Sequence, residues 1–507
     1  MNTQQQLSSF FFINLFIALF LAVAYNTITN MAGLYITSAL GGSIEISVYS
    51  MVFFGVGTLF TIPLAHPLAD RFGTIKVLVY SLILYAIFSL FCARSSTYFF
   101  FNTHRFMLGV ASGPIYILCR KLIIGHTSLG RLNICSTMIV LCFSISPILG
   151  ACFGAWLAYE GFWRWIFYVN ILIALVLAGY FWHYFKDLEA PLSSPLPFDT
   201  VGYLFFSIGV GALVTALTLA QQLDWYRSMT IVVLLLIALP SLIFFIIWEL
   251  NHPHPAIALN LLRTAMLSYA LINMAILFAT YFGMIILISL WLNIYVNYTP
   301  LWIAVLIGAM GIAGVIGYFI SKNILRYFDP RLTLAVAILV FASSCYYSTY
   351  FDVEIDFFHL AIARSLAGLG LVLFLFPVFK LAYASCDSKQ GPNIFCLLQL
   401  TRSLFSSLGA ALFVILWQRR QIFFHERLAE GLTVYSQLTS NYFQRAHQTF
   451  DLTTGQSTEQ LNIFLDQQAT SLGLNDAFGF MGYILLGLLL LLVFSFPLEK
   501  IYTKRSI

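Results

Sequence analysis

The chain is 507 residues long, 60% hydrophobic and only 9% Asp, Glu, Lys or Arg, with a net charge of +5. Soluble domains carry about 25% charged residues, so this chain has too few to coat a water-facing surface or to keep a tail disordered. Five excess bases spread over many loops make no nucleic-acid-binding face either. The apolar residues instead fall in runs of about 20, the length that crosses ~30 Å of hydrocarbon as helix. They predict an all-α integral membrane protein in a lipid bilayer.

In chain order, apolar runs bounded by charged or turn-forming residues lie near 10–33, 46–66, 77–94, 98–120, 133–158 and 163–185. Two more follow a proline-marked linker (KDLEAPLSSPLPFDT, 186–200), near 198–221 and 228–249. The last six lie near 266–292, 300–321, 331–350, 358–384, 394–418 and 477–497, making 14 expected transmembrane helices. The start, MNTQQQLSSF, has no basic n-region, so the first helix is expected to be retained. The eight cysteines form no CxxC pair and sit mostly inside apolar runs, where they read as small apolar fillers; no metal and no cofactor is expected.

Basic residues set the orientation. With the N-terminus in the cytoplasm, the inner side collects Arg71, Lys76, Arg120, Lys121, Arg131, Lys186 and Arg263. It also collects Lys322, Arg326, Arg331, Lys389, Lys500, Lys504 and Arg505, against Arg94, Arg164 and Arg227 outside. Both termini are therefore expected in the cytoplasm. The long polar stretch 419–476 before the last helix falls outside and reads as an extracytoplasmic loop, a small cap or docking element.

Short motifs punctuate the spans. After helix 2 comes Leu68-Ala69-Asp70-Arg71-Phe72-Gly73-Thr74-Ile75-Lys76. Gly73 permits a tight turn, and Asp70 can pair with Arg71 or Lys76 and cap a helix, so the cluster can latch the inner face. Helix 4 carries Arg105-x3-Gly109-x3-Gly113-Pro114, echoed by Arg364-x3-Gly368-x-Gly370 and Pro377 in helix 12. Helix 5 carries Ser146-Pro147-Ile-Leu-Gly150-Ala-Cys-Phe-Gly154, whose proline and small residues let helices bend and approach closely. Two halves that echo one another across the chain are a mark of secondary transporters.

These motifs resemble the signatures of the major facilitator superfamily: G-x-L-A-D-R-x-G-R-K, with His66 in place of the opening glycine; R-x-x-Q-G-x-x-x-G-P; and G-P-x-x-G-G. The run Phe162-Trp163-Arg164-Trp165-Ile166-Phe167-Tyr168-Val169-Asn170 is similar to the W-R-W-I-F-x-I-N signature of the 14-helix drug:proton antiporters (EmrB-like multidrug efflux). The resemblance implies the major facilitator fold: a six-helix bundle over 1–185, a linker and two inserted central helices over 186–265, and a second six-helix bundle over 266–507. It implies an exporter of small amphipathic compounds in the inner (cytoplasmic) membrane, working by alternating access and exchanging substrate for protons. The long outer loop would then meet a periplasmic adaptor protein.

One departure bears on mechanism. In helix 1 the relatives read L-D-x-T-I-x-N-V-A, whereas this chain reads Ala24-Tyr25-Asn26-Thr27-Ile28-Thr29-Asn30-Met31-Ala32. Tyrosine titrates near pH ~10 and cannot shuttle protons cheaply. No Asp or Glu lies in the middle of a span, while Arg105, Arg364, Lys380 and Arg402 lie within spans, where an unpaired charge costs at least ~2.5–3.5 kcal/mol. The candidate substrate pathway is Tyr25, Asn26, Asn30, Arg105, Lys380, Gln399 and Arg402; Arg364 and Arg402 could also snorkel to the interfaces. His104 is the candidate coupling residue, the one in-span group on the outer side that titrates near neutrality. The missing acid keeps an alternative open: a facilitator or importer of an anionic or zwitterionic metabolite or siderophore-type compound. An enzyme is not expected, since HExxH, GxSxG with partners and the P-loop are all missing.

Overall fold

The computed structural model describes residues 9–42, 47–127, 132–189, 191, 197–384, 390–433 and 436–502, with the side chains of 30–31, 132–133, 325–326 and 493–502 outside the described set. The described residues form helices throughout. The first group is α1 (Ser9–Ala39), α2 (Tyr49–Thr61), α3 (Ala65–Phe72), α4 (Thr74–Arg94), α5 (Tyr98–Gly125), α6 (Leu132–Tyr159) and α7 (Trp163–Phe185). Then come α8 (Thr200–Leu219) and α9 (Met229–Asn251). The last group is α10 (Ala265–Ile294), α11 (Pro300–Tyr327), α12 (Pro330–Tyr347), α13 (Phe357–Ala384), α14 (Gly391–Glu430), α15 (Gln437–Phe450) and α16 (Thr454–Tyr502).

Among the described residues thirteen helices are long and apolar enough to cross a membrane, and α2 with α3, bent by 50°, makes a fourteenth, broken span. Pro63 at the break and Pro67 within α3 each lack the N–H a continuous helix needs. The two groups pack alike. In the first, α1 lies against α6, α2 against α5 and α4 against α7; in the second, α10 lies against α14, α11 against α13 and α12 against α16. The halves meet where α6 touches α11 and where α2 touches α14. The inserted pair α8–α9 packs on itself, and α8 reaches α2 and α14. Only 17% of the most apolar stretch of α9 is covered, which suits a helix whose outer face meets lipid.

Among the described residues, most of the stretch 419–476 is helical rather than loop. α14 runs on to Glu430 and α16 begins at Thr454, so both helices continue past the apolar zone with α15 beside them. Trp417 Nε1 donates to the Thr470 carbonyl (3.0 Å), His425 meets Asn462 (3.1 Å), and an ion pair joins Arg420 to Asp476. The polar composition that suggested a loop is the solvated face of a helical projection.

Candidate transport pathway

In the following, the inner end is the one carrying Arg71, Lys76, Lys121 and Lys322. In the first bundle the motif glycines serve close helix contact. A Cβ on Gly150 would stand 2.3 Å from the Ala24 carbonyl oxygen, and one on Gly154 would stand 2.0 Å from that of Ile28. The backbones of α1 and α6 therefore touch, and Thr27 Oγ1 takes advantage by donating to the Pro147 carbonyl (2.6 Å). Ser146 beside it is buried, with no partner for its hydroxyl.

Arg105 is fully buried and fully engaged. Nη1 and Nη2 both donate to the Tyr25 carbonyl (3.1 Å each), Nη2 also to Thr29 Oγ1 (3.1 Å), and Nε to the Ser50 carbonyl (3.3 Å). Its guanidinium lies 4.7 Å from the centre of the Phe54 ring. The side chain staples α5 to α1 and α2. Tyr25 points into the same bundle: its hydroxyl donates to the Ile166 carbonyl of α7 and its ring meets Tyr85 edge-on. Asn26 is buried with Oδ1 unmatched; the side chain of Asn30 lies outside the described residues. His104 sits at the outer end of α5, hydrogen-bonded to Ser95 (3.0 Å) and flanked by Phe91 and Phe100, and lines neither cavity described below.

At the inner end Gly73 takes φ +95° between α3 and α4, a conformation that favours glycine. From sequence, Asp70 is expected to pair with Arg71 or Lys76 and to cap a helix; among the described residues it does neither. Its partner is Lys121 of α5 (3.7 Å), which also meets Glu189 (3.7 Å) and Thr74 Oγ1 (3.0 Å). The reason is geometric: Arg71 lies over its neighbour Phe72, whereas Lys121 stands across from the turn. Lys76 is half-buried in the first turn of α4.

Between the halves, on the inner side, is a cavity of about 530 Å³. Arg120 of α5, Lys322 of α11 and Lys380 of α13 line it, with Tyr318, Phe376 and Phe379. Its lining carries three bases and no acid among the described residues. Arg120 donates to the Tyr383 hydroxyl (2.8 Å) and lies 4.4 Å from the centre of the Phe395 ring, so the two halves touch there.

Deeper, Phe395 of α14 packs against Phe143 of α6 (6.1 Å), and behind that pair is Arg402. Only 1% of Arg402 is exposed. Its guanidinium is caged by Phe143 (4.7 Å), Tyr116 (5.3 Å) and Phe278 (5.7 Å), rings drawn from both halves. Nε donates to Gln399 Oε1 (2.8 Å), while Nη1, Nη2 and Gln399 Nε2 make no hydrogen bond. The Tyr116 hydroxyl beside it donates to the Ala22 carbonyl (3.0 Å). Aromatic faces attract a desolvated cation by about 2 kcal/mol but leave its N–H groups unmatched. An acceptor with two oxygens would complete the site.

Neither Arg364 nor Arg402 snorkels. Arg364 is 1% exposed, bonded to Ser348 Oγ and held over Phe478 (5.1 Å), because the packing of α12, α13 and α16 closes its route to the interface. At the outer end a second cavity of about 360 Å³ lies between α2, α8, α10 and α14. Gln221, Gln222, Gln418 and Gln421 line it with Tyr49 and Trp417, and among the described residues its lining carries no charge.

The sequence pattern of the Major Facilitator Superfamily matches residues 15–410. The chain belongs to that superfamily. This major facilitator protein is 26% identical to the multidrug export protein EmrB of Haemophilus influenzae over 95% of the chain and 94% of that protein. It is 27% identical to the fatty acid resistance protein FarB of Neisseria gonorrhoeae over 92% of each. Solved structures share the fold: a POT family transporter in complex with 5-aminolevulinic acid matches with a TM-score of 0.61 at 13% identity, over 95% of both chains. The POT family transporter PepTSo matches with a TM-score of 0.58 at 13% identity, over 96% of this chain and 99% of that one. The chain is thus a multi-pass membrane transporter and not an enzyme.

Several residues of the transporter's centre were not singled out from sequence. Arg120, Lys121 and Lys322 counted only as basic markers of the inner side. A signal was present: Arg120 and Lys121 close an apolar run that already carries Arg105, so their faces are fixed by helical period. The cage residues Tyr116, Phe143 and Phe278 gave none, since aromatics are everywhere in a chain with 49 Phe and 27 Tyr.

Proposed function

We propose that this protein is a proton-coupled exporter of small amphipathic anions across the inner membrane, with both termini in the cytoplasm. The observation that carries the substrate class is Arg402, a buried cation between the halves whose two terminal nitrogens lack acceptors. A carboxylate would take both, and the aromatic cage would receive the apolar tail. The cationic inner cavity supports the same reading: Arg120, Lys322 and Lys380 would gather anions on the cytoplasmic side, while the described lining of the outer cavity offers no cation to hold them after passage. FarB, by its name a fatty acid resistance protein, agrees in charge class. The helical projection of α14, α15 and α16 is the surface a periplasmic adaptor would meet.

Tyr25 favours a second reading. Its hydroxyl is spent on α7, so the position that carries an acid in the drug antiporters offers no exchangeable proton here, and an uncoupled facilitator would need none. One experiment separates the two. Purified protein in proteoliposomes with an internal pH dye is challenged with an acidic amphiphile and then with a lipophilic cation. Proton movement driven by the acid alone is expected. Equilibration of labelled acid without proton movement would make the protein a facilitator, and movement driven by the cation alone would overturn the substrate class.

A further inference from the structure

The feet of the two inserted helices hold a pair of buried carboxyl groups. Asp199 caps α8: Oδ1 accepts from Gly202 N (3.0 Å), and Oδ2 accepts from Trp248 Nε1 of α9 (3.0 Å). Glu249, next to Trp248, turns Oε1 to the backbone N–H of Ile257, while Oε2 receives no hydrogen bond. Glu249 is 0% exposed and Asp199 4%. A Cβ on Gly202 would stand 2.3 Å from Asp199 Oδ2 and 2.5 Å from Glu249 Oε2, so both oxygens crowd the space this glycine leaves open. Two ionised carboxylates do not share so small a buried space at low cost, and one proton between them removes the repulsion.

The pair also stands at a junction. Asp199 lines an inner-face pocket of about 280 Å³ with His254 of the insert's connection, His66 and Asp70 of α3, and Asn393 and Cys396 of α14. The pocket therefore touches the first bundle, the insert and the second bundle together. The titratable groups facing the pair are His252, whose Nδ1 is 4.0 Å from Asp199 Oδ2 and whose ring stacks on Trp248, and across the pocket His254, His66, Asp70 and the thiol of Cys396. Lys121 and Arg120 add positive charge near His66.

We propose that Asp199 and Glu249 form a one-proton binding site: Glu249 Oε2–H donates to Asp199 Oδ2, and the proton exchanges with the cytoplasm through this pocket. On release, the proton passes to water in the pocket and the pair is left with two negative charges. Their repulsion loosens the feet of α8 and α9 where the three parts meet. In a transporter without an acid at the centre of any span, this gives the proton a seat on the inserted helices.

The test uses the full-length protein in lipid. Infrared difference spectra between about pH 5 and pH 9 should show a protonated-carboxyl band that fades as the pH rises. The band should be missing in Glu249→Gln, whose amide donates to Asp199 in the proton's place. Trp248 supplies a second readout, because its indole is bonded to the same oxygen. The pH dependence of tryptophan emission should be present in the wild type and lost in both Trp248→Phe and Glu249→Gln. A wild type with no titrating band, or a folded Glu249→Gln that keeps the band, overturns the site. Neither spectrum needs a substrate, so the result stands even if the anion-export reading fails. The consequence for transport rests on that reading. Glu249→Gln should keep substrate counterflow but lose the dependence of uptake on internal pH, and an unchanged dependence would overturn the coupling role.

Discussion

Arg105 and Arg402 are both arginines buried inside helices, and the protein treats them in opposite ways. Arg105, in the first bundle, spends all three nitrogens on α1 and α2, with carbonyls of Tyr25 and Ser50 doing most of the accepting. Arg402, in the second, spends only Nε, and on a glutamine one turn before it. A buried guanidinium whose donors end on helix backbone is a staple. One whose fork is left open at the meeting of two halves is a receptor, because its desolvation is offset only when a ligand arrives. Burial alone does not separate a structural charge from a functional one, and neither do open N–H groups alone, since Arg364 Nε and Nη1 are also unmatched; what sets Arg402 apart is an open fork at the seam between the halves.

The largest effect expected from breaking this comparison is on the staple. Arg105→Ala removes hydrogen bonds to a charged group worth about 1.5–3 kcal/mol each and leaves a void among α1, α2 and α5. The variant should fail to give a monodisperse peak in detergent. Arg105→Lys should do little better, since one ammonium cannot span the Tyr25 carbonyl, Thr29 and Ser50. A folded Arg105→Ala with wild-type Tm would mean that the staple is idle.

Arg402→Met should behave the other way. Methionine fits an aromatic cage and removes a buried charge, so Tm should hold or rise. Transport of an acidic amphiphile should fall at least about tenfold, the size expected for one lost charge-assisted contact. Loss of stability together with transport would reduce Arg402 to a second staple.

A smaller effect belongs to the latch. Lys121 meets Asp70 and Glu189 with about a third of each side chain exposed on the Lys121–Asp70 side, and such pairs contribute no more than about 1 kcal/mol each. Lys121→Ala and Asp70→Asn should each change the transport rate only a few-fold. Because they break the same pair, the double variant should match the stronger single rather than multiply the two. Multiplicative effects would show that Lys121 and Asp70 act apart.

The fold was legible because its signals are long. Fourteen apolar runs, basic loops and glycine-spaced motifs repeat over hundreds of residues, and each span needs only composition to be found. The latch was half legible: Gly73 and the charges stand in the motif, but Asp70 found its partner 51 positions away, on a helix that sequence could not bring alongside. Asn26 and Ser146 were flagged by neighbouring motifs. The cage around Arg402 was out of reach, since it joins rings from α5, α6 and α10 through packing that leaves no local pattern. The same holds for Asp199 and Glu249, which lie at span ends 50 residues apart and meet only because α8 and α9 fold back on each other.

The smallest effect separates an exposed charge from these buried ones. At the outer start of α13, Asp356 accepts from the backbone N–H of His359 (3.3 Å) and meets its imidazole, and this neighbour holds its carboxyl below the usual carboxylate range. A carboxyl whose folded-state pKa is depressed contributes stability above its unfolded value of about 3.9 and loses it as pH falls through the folded value. Asp356 is exposed, so solvent screens the pair. Asp356→Asn should therefore lower Tm by no more than about 2 °C near pH 6, and the difference should shrink as the pH falls below the unfolded value of about 3.9. A difference that stayed the same from pH 6 into acid would mean that charge plays no part in what Asp356 does. The contrast with Arg402 is then quantitative: the exposed carboxylate moves stability slightly and transport not at all, whereas the buried guanidinium moves transport and leaves stability alone.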